Sequence, residues 1–319
     1  MTKPIKIIGL PMSQNVRKPL AVAHHLGIDV ESVSCRPGED VIKAANPSGR
    51  IPAMDDNGFK LSESNAIMVY LAGKKPNSLY PDDAKKRAEI HQWLMWDMAH
   101  WTPAYQPIQF ERLVKQMLNL GPADEARIEK TLELFAREAA LLDAALKGRK
   151  WLVGDEATLA DIAVGAGLTY AKPIDLPLGA YPNVVAWNER VTALDGFKKT
   201  APQKRLSYAD QVEALLGKKL SPGFCASAKA TLQSDPWALA AMTNVGLCEA
   251  SAGKVEEGEA ILARLLEYTP DNYEAHVGRA LIALAAGEKS VARLYFQNAL
   301  DAPPPIQEST RIVEAMRAL

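Results

Sequence analysis

The chain has 319 residues and a formal net charge of −1, and 48% of its residues are apolar. That length favours two or three domains, and that apolar fraction supplies packed cores rather than wholesale disorder. The near-neutral charge argues against a general attraction to nucleic acid or to an anionic membrane, so neither is expected as a partner.

Three scattered cysteines, Cys35, Cys225 and Cys248, form no C-x-x-C pair and no metal-ligand spacing. A disulfide framework and a metal site are therefore not expected, and this cysteine usage fits a reducing compartment. The first residues lead into a short apolar run rather than a signal peptide, and no apolar stretch approaches the roughly eighteen residues that cross a bilayer. The expected location is the cytoplasm.

The first eighty residues alternate between strand and helix patterns. The β-branched run at 5–10 predicts a buried strand, and residues 16–26 predict a helix that ends at Gly27. A weaker strand at 29–34, a short helix or loop at 39–45, a hairpin of 51–55 with 59–61 around Asn57-Gly58, and a helix at 64–72 follow. The order predicts an α/β domain, assigned to residues 1–76, that mixes parallel and antiparallel strand pairs.

A proline-containing linker at 74–83 separates this domain from a helical region. Helices are predicted at 84–118, 123–146, 159–170 and 184–194, which makes 84–203 an all-α domain. Pro103 and Pro107 are expected to kink or break the first of these helices. Thr158 and Asp161 match a helix-capping pattern, so Asp161 is interpreted as structural.

A 34-residue period marks a third region, assigned to residues 207–319. Pro236, Pro270 and Pro304 share this spacing, and Gly253 and Gly287 repeat it. A pitch of 34 residues with two helices per unit resembles tetratricopeptide repeats. Because about three repeats are needed for a stable stack, the helical segments 221–233 and 306–319 are expected to cap the ends.

Two motifs in the first domain resemble those of glutathione transferases. Residues 46–53 read NPSGRIPA, similar to the family segment N-P-x-G-x-[VI]-P-x, and residues 61–67 read LSESNAI, similar to L-x-E-S-x-A-I. The resemblance implies a thioredoxin-like first domain and glutathione as co-substrate. It also implies a cis bond before Pro52, pairing of the Ile51 backbone with glutathione, and capture of the γ-glutamyl end by Glu63 and Ser64.

Residues 11–17 read PMSQNVR and are similar to the P-x-S-x-x-x-R region of serine-type transferases of the theta and phi classes. Ser13 is then the matching catalytic position, where its hydroxyl would stabilise the glutathione thiolate. The alternative is that Ser13 only caps the first helix. Cysteine, which omega- and beta-like members carry here, is replaced by serine, so dithiol exchange is not expected.

The chain departs from the family at the glycyl-carboxylate contact. Theta and phi members carry a histidine, in phi with a following lysine, where this chain has Pro37 and Gly38. Arg36, Lys43 or Arg50 could supply the positive charge, and Arg50 is favoured because it adjoins Ile51.

Family members bind the electrophile on the helix after the linker. The candidate residues there are Trp93, Trp96, Trp101 and Tyr105. Helical spacing puts Trp93 and Trp96 near one face with His100, and Asp97, Trp101 and Tyr105, each four apart, in a row beside them if the helix survives Pro103, so that they would form a substrate wall. An aromatic stripe of this kind could equally be core or dimer contact. Asp97 is a candidate for reaching the glutathione amine of a partner subunit, since the resemblance implies a homodimer.

Two functions follow. The first is a metal-free enzyme of detoxification type, which conjugates glutathione to a small hydrophobic electrophile or catalyses a related displacement. The second is a non-catalytic scaffold with the transferase fold that holds a protein partner through residues 207–319. The repeats could instead act as a structural buttress.

Overall fold

The computed structural model describes residues 3–117, 120–202, 206–217, 220–302 and 304–319. The chain divides into two compact units. The first comprises Met1–Val114 and Pro122–Pro202, and the second comprises Lys115–Gly121 and Gln203–Leu319. The α/β part and the helical region that follows the linker both lie in the first unit.

The first unit begins with a four-stranded sheet in the order β2-β1-β3-β4. Its strands are β1 (Ile5–Ile8), β2 (Val30–Val33), β3 (Ala53–Asp56) and β4 (Phe59–Ser62). Strand β1 pairs parallel with β2 and antiparallel with β3, and β3 forms the predicted hairpin with β4. The α/β prediction with mixed pairing is confirmed, and the topology is thioredoxin-like.

Three helices accompany the sheet: α1 (Gln14–Leu26), α2 (Asp40–Lys43) and α3 (Ser64–Ala72). Helix α1 ends as the sequence predicted, because Gly27 adopts φ 63° and its N–H bonds the carbonyl of His24. Val16 and Leu20 pack from α1 into a core with Ile67 and Leu71 of α3. This packing fixes the start of α1 relative to the start of α3.

The helical part of the first unit contains α4 (Ala84–Trp96), α5 (Thr102–Gln109), α7 (Glu125–Leu146), α8 (Leu159–Ala166), α9 (Pro182–Thr192) and α10 (Asp195–Lys199); α6 (Lys115–Met117) belongs to the second unit. Pro103 and Pro107 were expected to kink or break the first helix, and the structure shows no break at either. Helical backbone continues from α4 through α5 by way of a π-helical turn at Asp97–Trp101, and a second such turn follows at Phe110–Val114. The π-helical turn at Asp97–Trp101 ends just before Pro103, so the backbone hydrogen-bond pattern already departs from that of a regular α-helix there.

Asp161 holds the second half of this helical part together. Its carboxylate accepts hydrogen bonds from the N–H of Leu152, from the N–H and hydroxyl of Thr158, and from the indole of Trp187. Asp161 is fully buried, and burial raises the pKa of its carboxyl group. The structural interpretation of Asp161 is confirmed.

The second unit is helical. It contains α11 (Tyr208–Val212), a π-helical turn at Glu213–Gly217, α12 (Pro222–Ser234), α13 (Leu239–Ser251), α14 (Val255–Tyr268), α15 (Tyr273–Ala285), α16 (Lys289–Asp301) and α17 (Ile306–Arg317). Helices α13 with α14, and α15 with α16, form two packed pairs. Gly246 permits the first pairing, since a Cβ there would lie 2.9 Å from Leu262. The two helix pairs agree with the 34-residue period.

The cysteine prediction is wrong. Cys225 of α12 and Cys248 of α13 form a disulfide, with their Cα atoms 5.7 Å apart. The sequence spacing gave no sign of it because the two residues, 23 positions apart, meet only when α12 folds back onto α13. Cys35 remains a free, buried thiol. Across the described ranges, no helix has both the length and the apolar character to span a membrane.

Candidate active site

The hydroxyl of Ser13 is not used as a helix cap. Ser13 precedes α1 with extended backbone angles, its N–H donates to the carbonyl of Leu10 at 2.8 Å, and its own carbonyl accepts from the N–H of Arg17. The side chain is half-buried and makes no capping hydrogen bond. Of the two interpretations of Ser13, the capping one is therefore wrong, and the hydroxyl is left able to donate to a bound group.

Ile51 presents an unpaired main chain beside this loop. The bond between Ile51 and Pro52 is cis, as the resemblance implied. Within the described part of the chain, neither the N–H nor the C=O of Ile51 has a hydrogen-bond partner. The side chain instead packs with Ile8 and Ile42. The free donor and acceptor of Ile51 can pair with an extended peptide as an added strand would.

Gly9 allows the Ser13 loop and the Ile51 segment to approach each other. Gly9 has φ 145°, and a Cβ there would lie 2.7 Å from Val16 Cγ2 and 2.9 Å from Ile51 Cβ. Such a contact is too short for any side chain, so only glycine fits between the start of α1 and residue 51. The structure thus places the hydroxyl-bearing loop and the free backbone of Ile51 on either side of one glycine.

The start of α3 provides an anion-binding position. Ser64 is the first residue of α3 and is 5% exposed, and Glu63 before it is exposed with φ 69°. A positive φ is costly for glutamate and is found most often at functional positions. The N–H groups at the helix start have no partner within the helix, and the helix dipole favours negative charge there.

Arg50 lies in a loop that Asn46 holds in place. The Asn46 side chain donates to the Arg50 carbonyl at 2.7 Å and accepts from the Ser48 hydroxyl at 2.9 Å. The Arg50 side chain is exposed. Lys43, one of the alternatives for the glycyl contact, is also exposed and lies 3.9 Å from Asp40, which competes for its charge. Arg50 therefore remains the favoured cation beside Ile51.

Cys35 does not offer a second nucleophile. Its side chain is 4% exposed in a small apolar cluster with Ile8, Ile42 and Ala53. Burial raises the pKa of the thiol to about 11, so it stays protonated at neutral pH. Cys35 is therefore a packing residue rather than a nucleophile.

The four aromatic candidates for a substrate wall do not act as one set. Trp93 and Trp96 are half-buried and line a surface groove of about 410 Å³ together with Gln92, Met95, Ala99, His100 and Leu141. Trp101 and Tyr105 are fully buried, so for them the core interpretation is correct and the substrate-wall expectation is wrong. The Trp101 indole donates to the carbonyl of Val164 at 3.1 Å and its ring packs with Phe135, so this row of the helix faces the core.

The cross-subunit expectation for Asp97 is also wrong. Asp97 is fully buried, and its carboxylate accepts from Lys18 at 2.6 Å and from Asn65 at 3.3 Å. Thr102 donates to the other oxygen at 3.4 Å. The carboxylate therefore joins α1, α3 and α5 within one chain and is not available to a second subunit.

Sequence reasoning missed the contacts of α1 with the helical part. Arg17 donates to Thr169 at 2.8 Å, to Thr200 at 3.3 Å and to the Phe197 carbonyl at 2.9 Å. Burial lowers its pKa to about 10, so it remains charged. Tyr170 donates to the carbonyl of Met12. Arg17 was visible in the serine motif, but no local pattern could reveal partners more than 150 residues away.

No metal centre accompanies this arrangement in the described segments, because no three His, Cys, Asp or Glu side chains converge there. The chemistry available is that of a hydroxyl donor, a free main-chain donor and acceptor, a helix start and an exposed guanidinium. Together they suit a thiol peptide with carboxylates at both ends.

The chain matches two family models. "Glutathione S-transferase, N-terminal domain" matches residues 7–79, and "Glutathione S-transferase, C-terminal domain" matches residues 98–195. Among curated proteins, a probable glutathione S-transferase GSTF2 of Oryza sativa subsp. japonica is 34% identical over 62% of this chain and 96% of its own length. Glutathione S-transferase 3 of Zea mays is 36% identical over 62% of this chain and 93% of its own.

Solved structures of glutathione transferases are also similar to this chain. Glutathione S-transferase I bound with lactoylglutathione superposes with a TM-score of 0.58 and 28% identity, covering 62% of this chain and 99% of that chain. Glutathione S-transferase I from mais in complex with an atrazine glutathione conjugate gives the same score and identity over 62% of this chain and 97% of that chain. The matched family models end at residue 195, before the second unit's long run of helices begins.

Proposed function

Because this chain belongs to the glutathione S-transferase family, we infer that it conjugates glutathione to a small hydrophobic electrophile. The observation that carries the inference is the hydroxyl of Ser13 just before α1, which has no hydrogen-bond partner among the described residues, together with the close approach of α1 and Ile51 at Gly9. Glutathione is the co-substrate. Relatives captured with glutathione conjugates support the same chemistry.

Ser13 acts on the sulfur. Its hydroxyl donates a hydrogen bond to the glutathione thiolate, and a bond to a charged acceptor is worth about 1.5–3 kcal/mol. At about 1.4 kcal/mol per pKa unit, this lowers the thiol pKa from about 8.5 to roughly 6.5–7.5. The thiol proton leaves to solvent, and the thiolate forms a bond to the electrophilic carbon, which expels a leaving group or takes up the charge and then a proton.

The remaining groups hold the peptide. The N–H and C=O of Ile51 pair with the cysteinyl backbone, and Pro52 keeps them facing outward. The start of α3, with the Ser64 hydroxyl, binds the γ-glutamyl carboxylate, and Glu63 pairs with the ammonium group. Arg50 takes the glycyl carboxylate. The affinity for glutathione therefore depends on the groups that bind its two ends, and turnover depends on Ser13.

Ser13→Ala tests the proposal. We expect calorimetry to show nearly unchanged glutathione binding, while turnover with a chromogenic chloronitrobenzene falls roughly 10- to 100-fold, the loss that 1.5–3 kcal/mol implies. Ser32→Ala is the matched control, since the Ser32 hydroxyl on β2 is buried and unpaired. Unchanged turnover in Ser13→Ala would remove Ser13 as the activator.

The family precedent also supports a homodimer. The groove that Trp93 and Trp96 line also has exposed apolar side chains in its wall, with Met95 at 67% and Leu141 at 49% exposure. Exposed apolar patches of this kind mark association surfaces. Light scattering should therefore give twice the chain mass, and Leu141→Lys should give monomers. A monomeric wild-type protein would contradict this assignment.

We propose that the protein lies in the cytoplasm. We also propose three domains at 1–76, 84–203 and 207–319, and the family models that match 7–79 and 98–195 support the first two. The Cys225–Cys248 disulfide weakens the earlier argument from unpaired cysteines. Alkylation of thiols at the moment of cell lysis, followed by mass analysis, tests the location: a cytoplasmic protein should carry three modifiable thiols after denaturation. A persistently oxidised pair would count against the cytoplasm.

For the second unit we favour a self-contained structural role over partner capture. Residues 208–217, comprising α11 and the turn after it, pack against α13, α15 and α17, the first helix of each repeat-like pair and the closing helix. Gln211 is fully buried there, and the N–H of Tyr208 donates to Glu308. The chain thus covers the face that repeat arrays offer to partners.

Tyr208→Ala distinguishes the two roles. If the segment is structural, this variant lowers the thermal midpoint of the second unit, and the wild-type chain fails to bind a labelled peptide of residues 206–217. Saturable binding of that peptide to the wild-type protein would instead support an open partner site. Turnover serves as the control, because the expected effect is confined to the second unit.

A further inference from the structure

Two tyrosines of the helical part contact the residues on either side of Ser13. The Tyr170 hydroxyl donates to the carbonyl of Met12 at 2.5 Å, and the Tyr105 hydroxyl accepts from the Gln14 side chain at 3.0 Å. We refer to Tyr105 and Tyr170 as the tyrosine bracket. Tyr105 lies on α5 and Tyr170 follows α8, so the two contacts reach Ser13 from separate elements.

The Met12 contact fixes the peptide plane that enters Ser13. The carbonyl of Met12 and the N–H of Ser13 belong to one planar peptide unit. The carbonyl end accepts from Tyr170, and the N–H end donates to Leu10. With both ends bonded, rotation of this unit is opposed, and the direction of the Ser13 N–Cα bond, which lies in its plane, is held. The Ser13 carbonyl, which accepts from the N–H of Arg17 at 2.8 Å, restrains the backbone on the other side of Cα.

The Gln14 contact fixes the other side. Gln14 is 4% exposed and begins α1, and its amide donates to a phenol that is itself fully buried. Thr102 holds that phenol at 3.3 Å. Burial raises the pKa of Tyr105, so its hydroxyl keeps its proton throughout the range in which a transferase works. The first turn of α1 is thereby tied to α5.

Arg17 extends the same attachment one turn along α1. Its guanidinium bonds Thr169, which adjoins Tyr170, and the carbonyl of Phe197. Residues 12, 14 and 17 are therefore all bonded to the helical part. Ser13 lies among them, and its hydroxyl makes no hydrogen bond to cap α1.

We propose that Tyr105 and Tyr170 are positioning residues, which orient the Ser13 hydroxyl toward the glutathione sulfur by holding the Met12 carbonyl and the Gln14 side chain. The proposal rests on the function proposed for Ser13. A donor that is held in place before the sulfur arrives needs no reorganisation during thiolate formation, which is where preorganised hydrogen bonds gain their effect.

Tyr170→Phe is the principal test, because it removes one hydroxyl and keeps the ring. We expect kcat to fall about 5-fold, because the variant loses the hydrogen bond to the Met12 carbonyl and one such bond is worth about 1 kcal/mol. The KM for glutathione should change little. The acid limb of the pH profile of kcat/KM should move to higher pH, toward its position in Ser13→Ala. The absorbance of bound thiolate, titrated against pH, should shift in the same direction.

Tyr181→Phe is the matched control. The Tyr181 hydroxyl also donates to a backbone carbonyl, that of Ala136 at 3.2 Å, but Ala136 lies on α7 away from the serine loop. We expect no shift of the acid limb in this variant. An equal shift in both variants would overturn the proposal, because it would show a general effect of lost tyrosine hydroxyls.

Combining the changes separates the proposal from the function it rests on. In a Ser13→Ala background, Tyr170→Phe should leave the acid limb where Ser13→Ala puts it, since there is no hydroxyl to orient. Tyr105→Phe should act like Tyr170→Phe. If Ser13→Ala lowers turnover but neither tyrosine variant moves the acid limb, the tyrosine bracket is refuted and the role of Ser13 stands. If Ser13→Ala has no effect, the role proposed for Ser13 fails, and the tyrosine bracket with it.

Discussion

Lys18 and Asp97 form a fully buried ion pair, and breaking it should unfold the first unit at markedly lower temperature. The two charged atoms lie 2.6 Å apart, and both side chains are 0% exposed. At an effective dielectric constant of about 20, that distance gives a gross attraction of about 6 kcal/mol. Most of this offsets the cost of removing two charges from water, so the pair as a whole contributes little.

Removing one partner is different, because the other charge stays buried. Among the described residues the Lys18 ammonium has no acceptor but Asp97, whereas Asp97 keeps donors from Asn65 and Thr102. We therefore expect Asp97→Leu to cost about 3–5 kcal/mol and Lys18→Met somewhat less. For a unit of this size, each kcal/mol lowers the midpoint by roughly 2–4 °C, so the first variant should melt roughly 6–20 °C lower.

The assay is thermal unfolding followed by tryptophan fluorescence in a Trp237→Phe background. Five of the six tryptophans lie before residue 203 and only Trp237 lies in the second unit, so this background reports the first unit alone. The double variant Lys18→Met/Asp97→Leu should recover most of the loss. Single variants that cost under about 1 kcal/mol, or a double variant as unstable as their sum, would refute the reasoning.

Two further predictions concern backbone approach and pH. Gly196→Ala should destabilise the first unit by several kcal/mol, because a Cβ there would lie 2.0 Å from a backbone oxygen of α1. Gly179→Ala is the control and should be neutral in the same thermal unfolding experiment, since a Cβ at Gly179 would have no described atom within 4 Å. Hydrogen bonds from Lys74 and Tyr70 lower the pKa of Asp56 to about 2, so the stability that Asp56 contributes is complete above about pH 4 and is lost as pH falls toward 2. In Asp56→Asn, the melting temperature should therefore change less with pH over that interval. A slope of melting temperature against pH equal to that of the wild type would contradict this.

The first domain could be predicted in detail because its signals are local. The Asn57-Gly58 turn identified the hairpin, and the run from Glu63 identified a helix that the structure begins at Ser64. The resemblance supplied the cis bond before Pro52, and local rules would have allowed it. In each case the physical cause lies within a few residues of the feature.

The failures concern features that depend on distant partners. The resemblance gave Asp97 a role at a partner subunit and helical spacing gave Tyr105 a place in a substrate wall, but both side chains are buried against α1, where they bond Lys18 and Gln14. The burial of Lys18 could not be predicted, since a lysine on the second turn of a helix is ordinarily solvated. The tyrosine bracket joins positions 91 and 158 residues apart. A pattern in one segment carries no information about such contacts.

The disulfide of the second unit affects how much apolar surface α12 needs at the end of the stack of helices. Most of α13 is buried, yet of the thirteen residues of α12 only Ala228 is. A terminal helix that is held only by buried apolar area needs a wide apolar face. Apolar surface left exposed at the end of a stack favours association with another molecule. Because Cys225 is bonded covalently to Cys248, α12 needs little apolar area to stay attached. The stack of helices can therefore end in a polar, solvated surface.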